Sequence, residues 1–233
     1  FYQVENPPVV PVFSSILKKL SLLEDEIKPD CVFSLFGPTY WKPKSWHVMG
    51  FANGLYLYDD LPYIKKLSGV SRLVFNLKKN YHRLLLKTNA DLYVVQNNDM
   101  KKRFANFINI PLDRVAVNYG SYHPVFKSKI YDINLLPSKK EDEFRFVTIS
   151  SYYPHKNLDI INKVVDILSL KDIGVKVRFV LTLPHDTFRE KFNQNDPALI
   201  NVGPVNLKDC PYLYDKSDAL FLPTLVESFS ASY

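Results

Sequence analysis

The sequence predicts an α/β protein built on parallel β-sheets. Short, mostly apolar segments at residues 31–37, 90–97 and 175–183 are typical of strands that are buried on both faces of a sheet. They alternate with longer amphipathic segments that carry many charged residues. This βαβ pattern occurs in both halves of the chain, which predicts two successive doubly wound domains.

The composition is that of a folded protein with a surplus of positive charge. Hydrophobic residues make up 46% and aromatic residues 14% of the 233 residues, enough for a packed core, which excludes global disorder. The formal net charge of +6 suits phosphorylated small molecules, an anionic membrane surface or nucleic acid. The chain contains no long run of arginine and lysine and no RNA-binding signature, so nucleic acid is not an expected partner.

The two cysteines indicate neither a metal site nor a disulfide framework. Cys31 and Cys210 lie far apart and lack the short spacing of zinc ligands. A reducing, cytoplasmic compartment is therefore expected. No apolar run reaches the roughly 18 residues of a membrane-spanning helix, and the first residues do not have the pattern of a signal peptide.

Local signals bound the helices and strands of the first half. After a proline-rich lead-in, Ser14 or Ser15 can cap a helix that runs to about Lys28. A strand and turn are predicted at residues 48–58, and helices at 71–89 and 98–108.

The helix predicted at 71–89 is strongly basic. Its residues Lys78, Lys79, His82, Arg83 and Lys87 are expected to form a solvated face. The alternative interpretation is a surface that docks on a membrane, because a basic amphipathic helix can lie in the lipid interface.

The last third of the chain has the pattern of a phosphate-binding site. A strand leads into a basic loop at residues 144–159, and a later short strand contains a glycine at 199–205. A final strand is followed by Glu227 and then by small residues that open a helix. Backbone N–H groups at a helix start attract anions, and a carboxylate can hold sugar hydroxyls. The alternative is an ordinary connection from strand to helix with a serine N-cap.

This order of segments resembles the donor-binding half of the family 4 glycosyltransferases, which are retaining enzymes with the GT-B fold. The resemblance is carried by FRFVTISSYYPHKNLD (144–159), VKVRFVLTL (175–183), LINVGPV (199–205) and YDKSDALFLPTLVESFSAS (214–232). It covers residues 29–233 and is most specific from residue 144 onward. It implies two Rossmann-like, doubly wound domains that face each other across a cleft. The acceptor-side domain would occupy 1–126, a linker 127–143 and the nucleotide-sugar donor domain 144–233.

The resemblance also predicts that the chain is a fragment, truncated at both ends, with both domains incomplete. Glu227 matches the first glutamate of the family's E-x7-E motif, and the second would fall at position 235, after Tyr233. The first half lacks the glycine-rich strand–loop–helix that opens such domains, and the chain begins with Phe1. We therefore expect the 233-residue chain to be inactive by itself and to aggregate.

The function implied by the resemblance is glycosyl transfer. A sugar would pass from a nucleotide-diphosphate-sugar to a glycan or lipid-linked acceptor with retention, in cell-surface polysaccharide synthesis. No cofactor and no metal would be needed, and the enzyme would work in the cytoplasm at the inner face of the membrane, with peripheral membrane association. Two alternatives stay open: a GT-B nucleotide-sugar epimerase and a non-catalytic nucleotide-sugar-binding module.

The resemblance assigns roles in the donor site. Glu227 is a predicted catalytic residue that accepts hydrogen bonds from the donor sugar, and His155 and Lys156 are the candidate positive charges for the diphosphate. The predicted donor-binding set is Ser151, His155, Lys156, Asn157, Gly203, Ser228, Phe229 and Ser230. Ser150 and Ser151 stand where the family usually has an arginine, so a pair of cations is not fully present. The alternatives are an exposed loop charge for Lys156, a helix N-terminal acid for Glu227 and a turn glycine for Gly203.

On the acceptor side, His47 is the second predicted catalytic residue. The alternative is a packing residue between Trp46 and an apolar strand. Tyr40, Trp41 and Asn53 are predicted to contact the acceptor sugar, since aromatic rings in a loop after a strand can stack on sugar rings. The loop at residues 38–47 lies where open α/β sheets place their ligands, after the carboxyl end of a strand. His47 itself lies just before the next strand, whereas the related enzymes carry their histidine after one.

Overall fold

The structure, a computed structural model, describes residues 15–58, 61–65, 67–127 and 131–227. Within these ranges the chain falls into two compact units, divided between Gly120 and Ser121. We call them unit 1 and unit 2.

Unit 1 contains a parallel sheet whose strands follow the order β1-β2-β3-β4. Its elements are α1 (Ser15–Ile27), β1 (Cys31–Ser34), β2 (Trp46–Gly50), α2 (Pro62–Lys65), α3 (Gly69–Thr88), β3 (Leu92–Val95), α4 (Asn98–Ile108) and β4 (Val115–Val117). The core lies between the sheet and the helices, and in it the ring of Phe104 contacts those of Phe51 and Tyr93 at tilted angles. Burial of such aromatic side chains is a large part of the stabilisation of a small domain.

The second strand differs from its prediction because of contacts that are distant in sequence. It begins at Trp46 rather than at residue 48, and His47 lies within it, not before it. The backbone N–H of His47 donates to the Asp91 carboxylate at 2.9 Å, and the Asp91 N–H donates back to the His47 carbonyl at 2.9 Å. The strand ends at Gly50 and a 3-10 turn follows at Gly54–Tyr56, so the predicted range holds a strand end and a turn.

Unit 2 contains a second parallel sheet, with strand order β7-β6-β5-β8. Its elements are β5 (Glu143–Thr148), α5 (Ile160–Ser169), β6 (Lys176–Leu181), α6 (His185–Lys191), β7 (Leu199–Asn201), α7 (Cys210–Asp215) and β8 (Ala219–Leu220).

Both faces of this second sheet are covered. Phe179 and Leu181 of β6 belong to a core formed with α5 and α6, whereas Val180 between them packs in a core with Tyr212 and Leu213 of α7. Successive side chains of a strand point to opposite faces, so the two cores lie on opposite sides of the sheet. The predicted class, an α/β protein with two doubly wound parallel sheets, is confirmed.

Part of the segment predicted as a linker belongs to the core of unit 2. Leu136 is buried against Tyr212, and the carbonyl of Pro137 accepts a hydrogen bond of 2.8 Å from the guanidinium of Arg145. The Arg145 side chain is 2% exposed and is ion-paired with Glu143. A buried guanidinium needs such partners, because an unpaired buried charge is strongly destabilising. The boundaries predicted for the linker stay a prediction.

The longest helix of the described ranges is α3, with 20 residues. No helix in those ranges combines the length and apolarity needed to cross a membrane. His82 of α3 was predicted to lie on a solvated face, and this prediction is wrong because the ring is buried. The His82 imidazole bridges two tyrosine hydroxyls, Tyr40 at 3.1 Å and Tyr56 at 3.0 Å. Lys78 and Lys87 are exposed, as predicted.

We expect unit 1 to lose stability as pH falls because of His82. Burial, assisted by the charge of Lys78, lowers the pKa of His82 below its ordinary value. In the unfolded chain the imidazole titrates near its usual pKa of about 6.5. Between that value and the lower folded pKa the unfolded state binds more protons, so the free energy of unfolding decreases as pH falls.

Thermal melts between pH 7.5 and pH 5.5, roughly the range around the histidine pKa, measure this effect. The His82→Phe variant should be less stable than the wild type at the upper pH and less sensitive to pH. The exposed His123→Gln variant is the matched control and should keep the wild-type slope. An unchanged slope in His82→Phe would contradict the assignment.

Candidate functional site

The carboxyl ends of β5 and β8 bring together two loops that are distant in sequence. The strands are parallel neighbours, with Val147 opposite Leu220, so the loops that follow them leave from the same edge of the sheet. Three hydrogen bonds join the loops: Leu225 N–H to the His155 carbonyl at 2.8 Å, the Thr224 hydroxyl to the same carbonyl at 3.2 Å, and the Asn157 amide to the Pro223 carbonyl at 3.2 Å.

Lys156 and Glu227 form an ion pair at this edge. The ammonium donates to the carboxylate, and the two side chains are 22% and 21% exposed, respectively. An ammonium has three donors and a carboxylate has two acceptor oxygens, so each group can hold a ligand atom besides its partner. The residues predicted to contact the donor diphosphate and the donor sugar therefore lie in direct contact.

His155 contributes a ring rather than a charge. Burial lowers the pKa of the His155 imidazole, the positive charge of Lys156 lowers it further, and Glu227 opposes the shift. The lowered pKa makes His155 a poor source of positive charge at neutral pH. The His155 ring stacks on Tyr153, with the centroids 5.7 Å apart and the planes 12° from parallel. Tyr153 is exposed, so the pair presents an aromatic surface beside the ion pair.

Asn157 and Ser151 have local roles in the loop after β5. A 3-10 turn at Pro154–Lys156 ends at Asn157, whose φ of 54° lies in the left-handed region that asparagine tolerates. The Asn157 side chain is engaged with the Pro223 carbonyl, which holds the two loops together. Ser151 is exposed, and its carbonyl accepts a hydrogen bond from the Ser150 hydroxyl at 3.0 Å. Donor binding by Asn157 and Ser151 stays a prediction.

Gly203 lies after β7, at the same edge of the sheet, in a conformation that requires glycine. Its φ is +77°, and a Cβ added there would lie 3.0 Å from Nε2 of His185, the first residue of α6. The absence of a side chain therefore lets the His185 ring lie against the backbone. The other predicted donor residues, Ser228, Phe229 and Ser230, lie outside the described residues.

In unit 1, His47 is enclosed by the sheet. It is 1% exposed; its Nδ1 is hydrogen-bonded to the Asn89 carbonyl, and its Nε2 lies 2.7 Å from the Ser34 hydroxyl. Both ring nitrogens are engaged, which is the arrangement of the packing alternative. A catalytic role for His47 stays a prediction, and it would require this ring to become accessible.

The predicted acceptor residues also make contacts within unit 1. Tyr40 bonds to His82 and stacks on Tyr81 with a centroid distance of 6.3 Å. The indole N–H of Trp41 donates to the Ser21 hydroxyl at 3.0 Å. Asn53 caps the 3-10 turn by accepting from the Leu55 N–H at 3.1 Å. Acceptor contacts by Tyr40, Trp41 and Asn53 stay predictions.

Comparison with solved structures relates this architecture to known folds. A glycosyltransferase from Rickettsia africae matches with a TM-score of 0.55 and 14% identity, over 88% of this chain and 54% of that one. The catalytic domain of starch synthase IV from Arabidopsis thaliana, bound to ADP and acarbose, matches with a TM-score of 0.56 and 12% identity, over 92% and 56%. UDP-GlcNAc 2-epimerase from Neisseria meningitidis, bound to UDP-GlcNAc, matches with a TM-score of 0.53 and 16% identity, over 90% and 61%. No protein-family model and no curated protein sequence match the chain.

The chain has the GT-B fold. It spans between 54% and 61% of the length of these three structures. At 12% to 16% identity the likeness establishes the GT-B fold but not the reaction, because one fold supports several activities. The assignment to family 4 and the truncation of the chain stay predictions.

Two polar residues at GT-B sheet edges were missed by the sequence analysis. His185 begins α6 shortly after the apolar strand β6, in the segment LPHD, and that position beyond the carboxyl end of a strand was the available signal. Gln96 follows β3, and its Oε1 is buried without a hydrogen-bond partner in the described part of the chain. Buried polar atoms are normally paired, so Gln96 is a candidate ligand contact that no spacing rule could have selected.

An apolar groove lies at the opposite end of the second sheet. It has a volume of about 590 Å³ and is lined by residues of α5, the first residues of β6 and the segment before β7, among them Val165, Leu168, Val177 and Ala198. In parallel α/β sheets the ligands bind at the carboxyl ends of the strands. The charged and polar residues of the candidate site, among them Lys156 and Glu227, lie at the carboxyl ends of the strands and not at the groove. Among the residues that the structure describes, no three metal-ligating side chains converge, so no metal ligands are assigned.

Substitution of Gly203 should impair nucleotide binding more than stability. Gly174 provides a matched control, because its φ is +73° and an added Cβ would meet nothing within 4 Å. Both Gly203→Ala and Gly174→Ala should lose about 1–2 kcal/mol of stability, the cost of the left-handed conformation. In Gly203→Ala the new methyl group should also displace His185 and weaken nucleotide-diphosphate binding. Calorimetric titration and thermal melts measure both quantities, and equal nucleotide affinities in the two variants would contradict a role for this edge.

Proposed function

We propose that this GT-B protein transfers a sugar from a nucleotide-diphosphate-sugar to a glycan or lipid-linked acceptor, with retention of the anomeric configuration. The proposal places the protein in cell-surface polysaccharide synthesis on the cytoplasmic side of the membrane, with peripheral membrane association. The proposed reaction uses no cofactor or metal ion, and nucleic acid is not a proposed partner.

The contact between Lys156 and Glu227 carries the proposal. An ammonium and a carboxylate at the carboxyl ends of adjacent parallel strands suit a ligand with an anionic part next to a polyhydroxylated part. A nucleotide-diphosphate-sugar has this composition, with the diphosphate joined directly to the sugar. The GT-B fold, and neighbours whose descriptions name glycosyltransferases, add support.

The proposed chemistry is electrostatic. As the bond between the anomeric carbon and the diphosphate oxygen breaks, negative charge develops on the leaving diphosphate, and the ammonium of Lys156 stabilises that charge. The acceptor oxygen bonds to the anomeric carbon on the face that the diphosphate leaves, and the proton of the acceptor hydroxyl passes to the departing diphosphate. The Glu227 carboxylate accepts hydrogen bonds from sugar hydroxyls, which fixes the sugar relative to the leaving group. The ion pair holds both side chains near these positions before the ligand arrives, so little reorganisation is needed.

In the full-length enzyme, removal of Lys156 should weaken nucleotide-diphosphate binding. The Lys156→Ala variant loses a charge-assisted contact worth about 1.5–3 kcal/mol, or roughly 10- to 150-fold in Kd. Calorimetry with UDP, GDP and ADP measures the change. Lys163→Ala removes an equal charge from an exposed position on α5 and is the control. Affinities for all three nucleotides that match those of the control would sink the proposed role of Lys156.

The Glu227→Gln variant should separate the two roles of the ion pair. It frees Lys156 from a competing carboxylate, so affinity for the nucleotide diphosphate alone should stay level or rise. In the full-length enzyme, affinity for the nucleotide sugar and the rate of sugar transfer should fall, because the neutral amide is a weaker acceptor for sugar hydroxyls. A variant that loses nucleotide affinity but retains wild-type transfer would reverse this assignment.

A GT-B epimerase is the second candidate. The likeness to UDP-GlcNAc 2-epimerase, with a TM-score of 0.53, favours it. Incubation with a nucleotide sugar in the absence of any acceptor distinguishes the activities, since only an epimerase converts the sugar and keeps its nucleotide attached. Nucleotide-sugar binding without either product would indicate the non-catalytic module.

A further inference from the structure

The outward face of α3 carries a continuous apolar stripe. Its members are aliphatic or aromatic and between 43% and 75% exposed: Val70, Leu73, Val74, Leu77, Tyr81 and Leu84. With about 100° between successive residues of a helix, these six positions fall within an arc of roughly 100°. Single exposed apolar residues are ordinary, but a contiguous patch along one helix marks an interaction surface.

The stripe is separate from the face that packs α3 onto unit 1. His82 and Leu86 are the buried residues of the helix, and His82 is fixed by the two tyrosine hydroxyls. Ser68 caps the first turn by accepting from the Ser71 N–H. The helix is therefore anchored on one side, and its other apolar side is left without a covering element in the described residues.

The charge of α3 has a single sign. The helix contains five basic residues, Arg72, Lys78, Lys79, Arg83 and Lys87, and no aspartate or glutamate. Lys78 and Lys87 flank the stripe on opposite sides and are exposed. Lysine and arginine side chains are long enough to lay their apolar stems along such a surface while their charged ends reach outward. A surface complementary to α3 is thus apolar where it meets the stripe and negatively charged along the two sides of the stripe.

We propose that α3 docks unit 1 on the surface of an anionic lipid bilayer, with the stripe among the acyl chains and the flanking Lys78 and Lys87 at the headgroups. This is the chemistry of interfacial amphipathic helices, which combine an apolar face with flanking cations. The stripe stands on the convex surface of a single helix about 30 Å long. A bilayer deforms around such a ridge, whereas a protein partner would need a matching apolar groove. The inference does not rest on the proposed transferase activity and would hold for any function of this fold.

Vesicle co-sedimentation of the purified protein tests the proposal. Binding to vesicles of phosphatidylcholine with phosphatidylglycerol should exceed binding to phosphatidylcholine alone by at least roughly tenfold, and added salt should weaken it. The triple variant Leu73→Ser, Leu77→Ser and Leu84→Ser should bind the anionic vesicles at least roughly tenfold more weakly. These side chains are already exposed, so the variant should fold, and its thermal melt checks this.

A matched variant controls for the general loss of surface apolarity. Leu22→Ser, Leu112→Ser and Leu207→Ser change the same number of exposed leucines away from α3 and should keep wild-type vesicle binding. The proposal would be overturned if the wild type did not bind anionic vesicles, or if both triple variants lost the same amount of vesicle binding. The proposal would also be overturned if light scattering showed that the wild type is a dimer without lipid and that the α3 variant alone is a monomer. A second copy of the chain would then occupy the stripe. Nucleotide affinity is measured in parallel, so a failure here is distinguishable from a failure of the proposed function.

Discussion

The parallel pairing of β5 with β8 is the constraint on which the candidate site depends. The two strands lie more than 70 residues apart in the chain, yet adjacency in the sheet puts the loops that follow them side by side. The hydrogen bonds to the carbonyls of His155 and Pro223 then fix the spacing of the loops. Lys156 and Glu227 meet for this reason. Any change that shifts the register of β8 would separate the charges before it altered the rest of unit 2.

Elements whose boundaries are set by nearby residues could be predicted from the sequence. The helix predicted at 98–108 is α4, since Asn97 caps its start and Asn109 ends it with a left-handed φ of 56°. The strand and turn predicted at 48–58 are present, but the strand starts earlier than predicted, because the backbone at its true start is held by Asp91, which is 44 residues away from His47. Apolar content alone could not reveal that contact. The charged stretch 127–143 was predicted to be a linker for a similar reason. Its polar composition did not reveal that Leu136 within it is a core residue.

The candidate site was predictable in its residue types but not in their mutual contacts. Lys156 and Glu227 stood out because each follows an apolar strand, whereas their ion pair depends on the strand order of the folded sheet. The same limit explains His47 and His82. His47 was predicted to be catalytic and His82 to lie on a solvated basic face, and only the folded structure shows partners for both ring nitrogens of each. A histidine enclosed in this way contributes to stability through satisfied hydrogen bonds.

The docking of residues 131–137 on unit 2 has a practical consequence for dissecting the protein. The polarity of the stretch before Glu143 invites a cut there when the second half is to be expressed by itself. Such a cut would remove Leu136 from the core and take away the carbonyl of Pro137. The buried guanidinium of Arg145 would lose an acceptor, at a cost of about 1.5–3 kcal/mol. An expression boundary placed before Tyr131 keeps Leu136 and Pro137, together with Tyr131, Ile133 and Leu135, which also pack on this core.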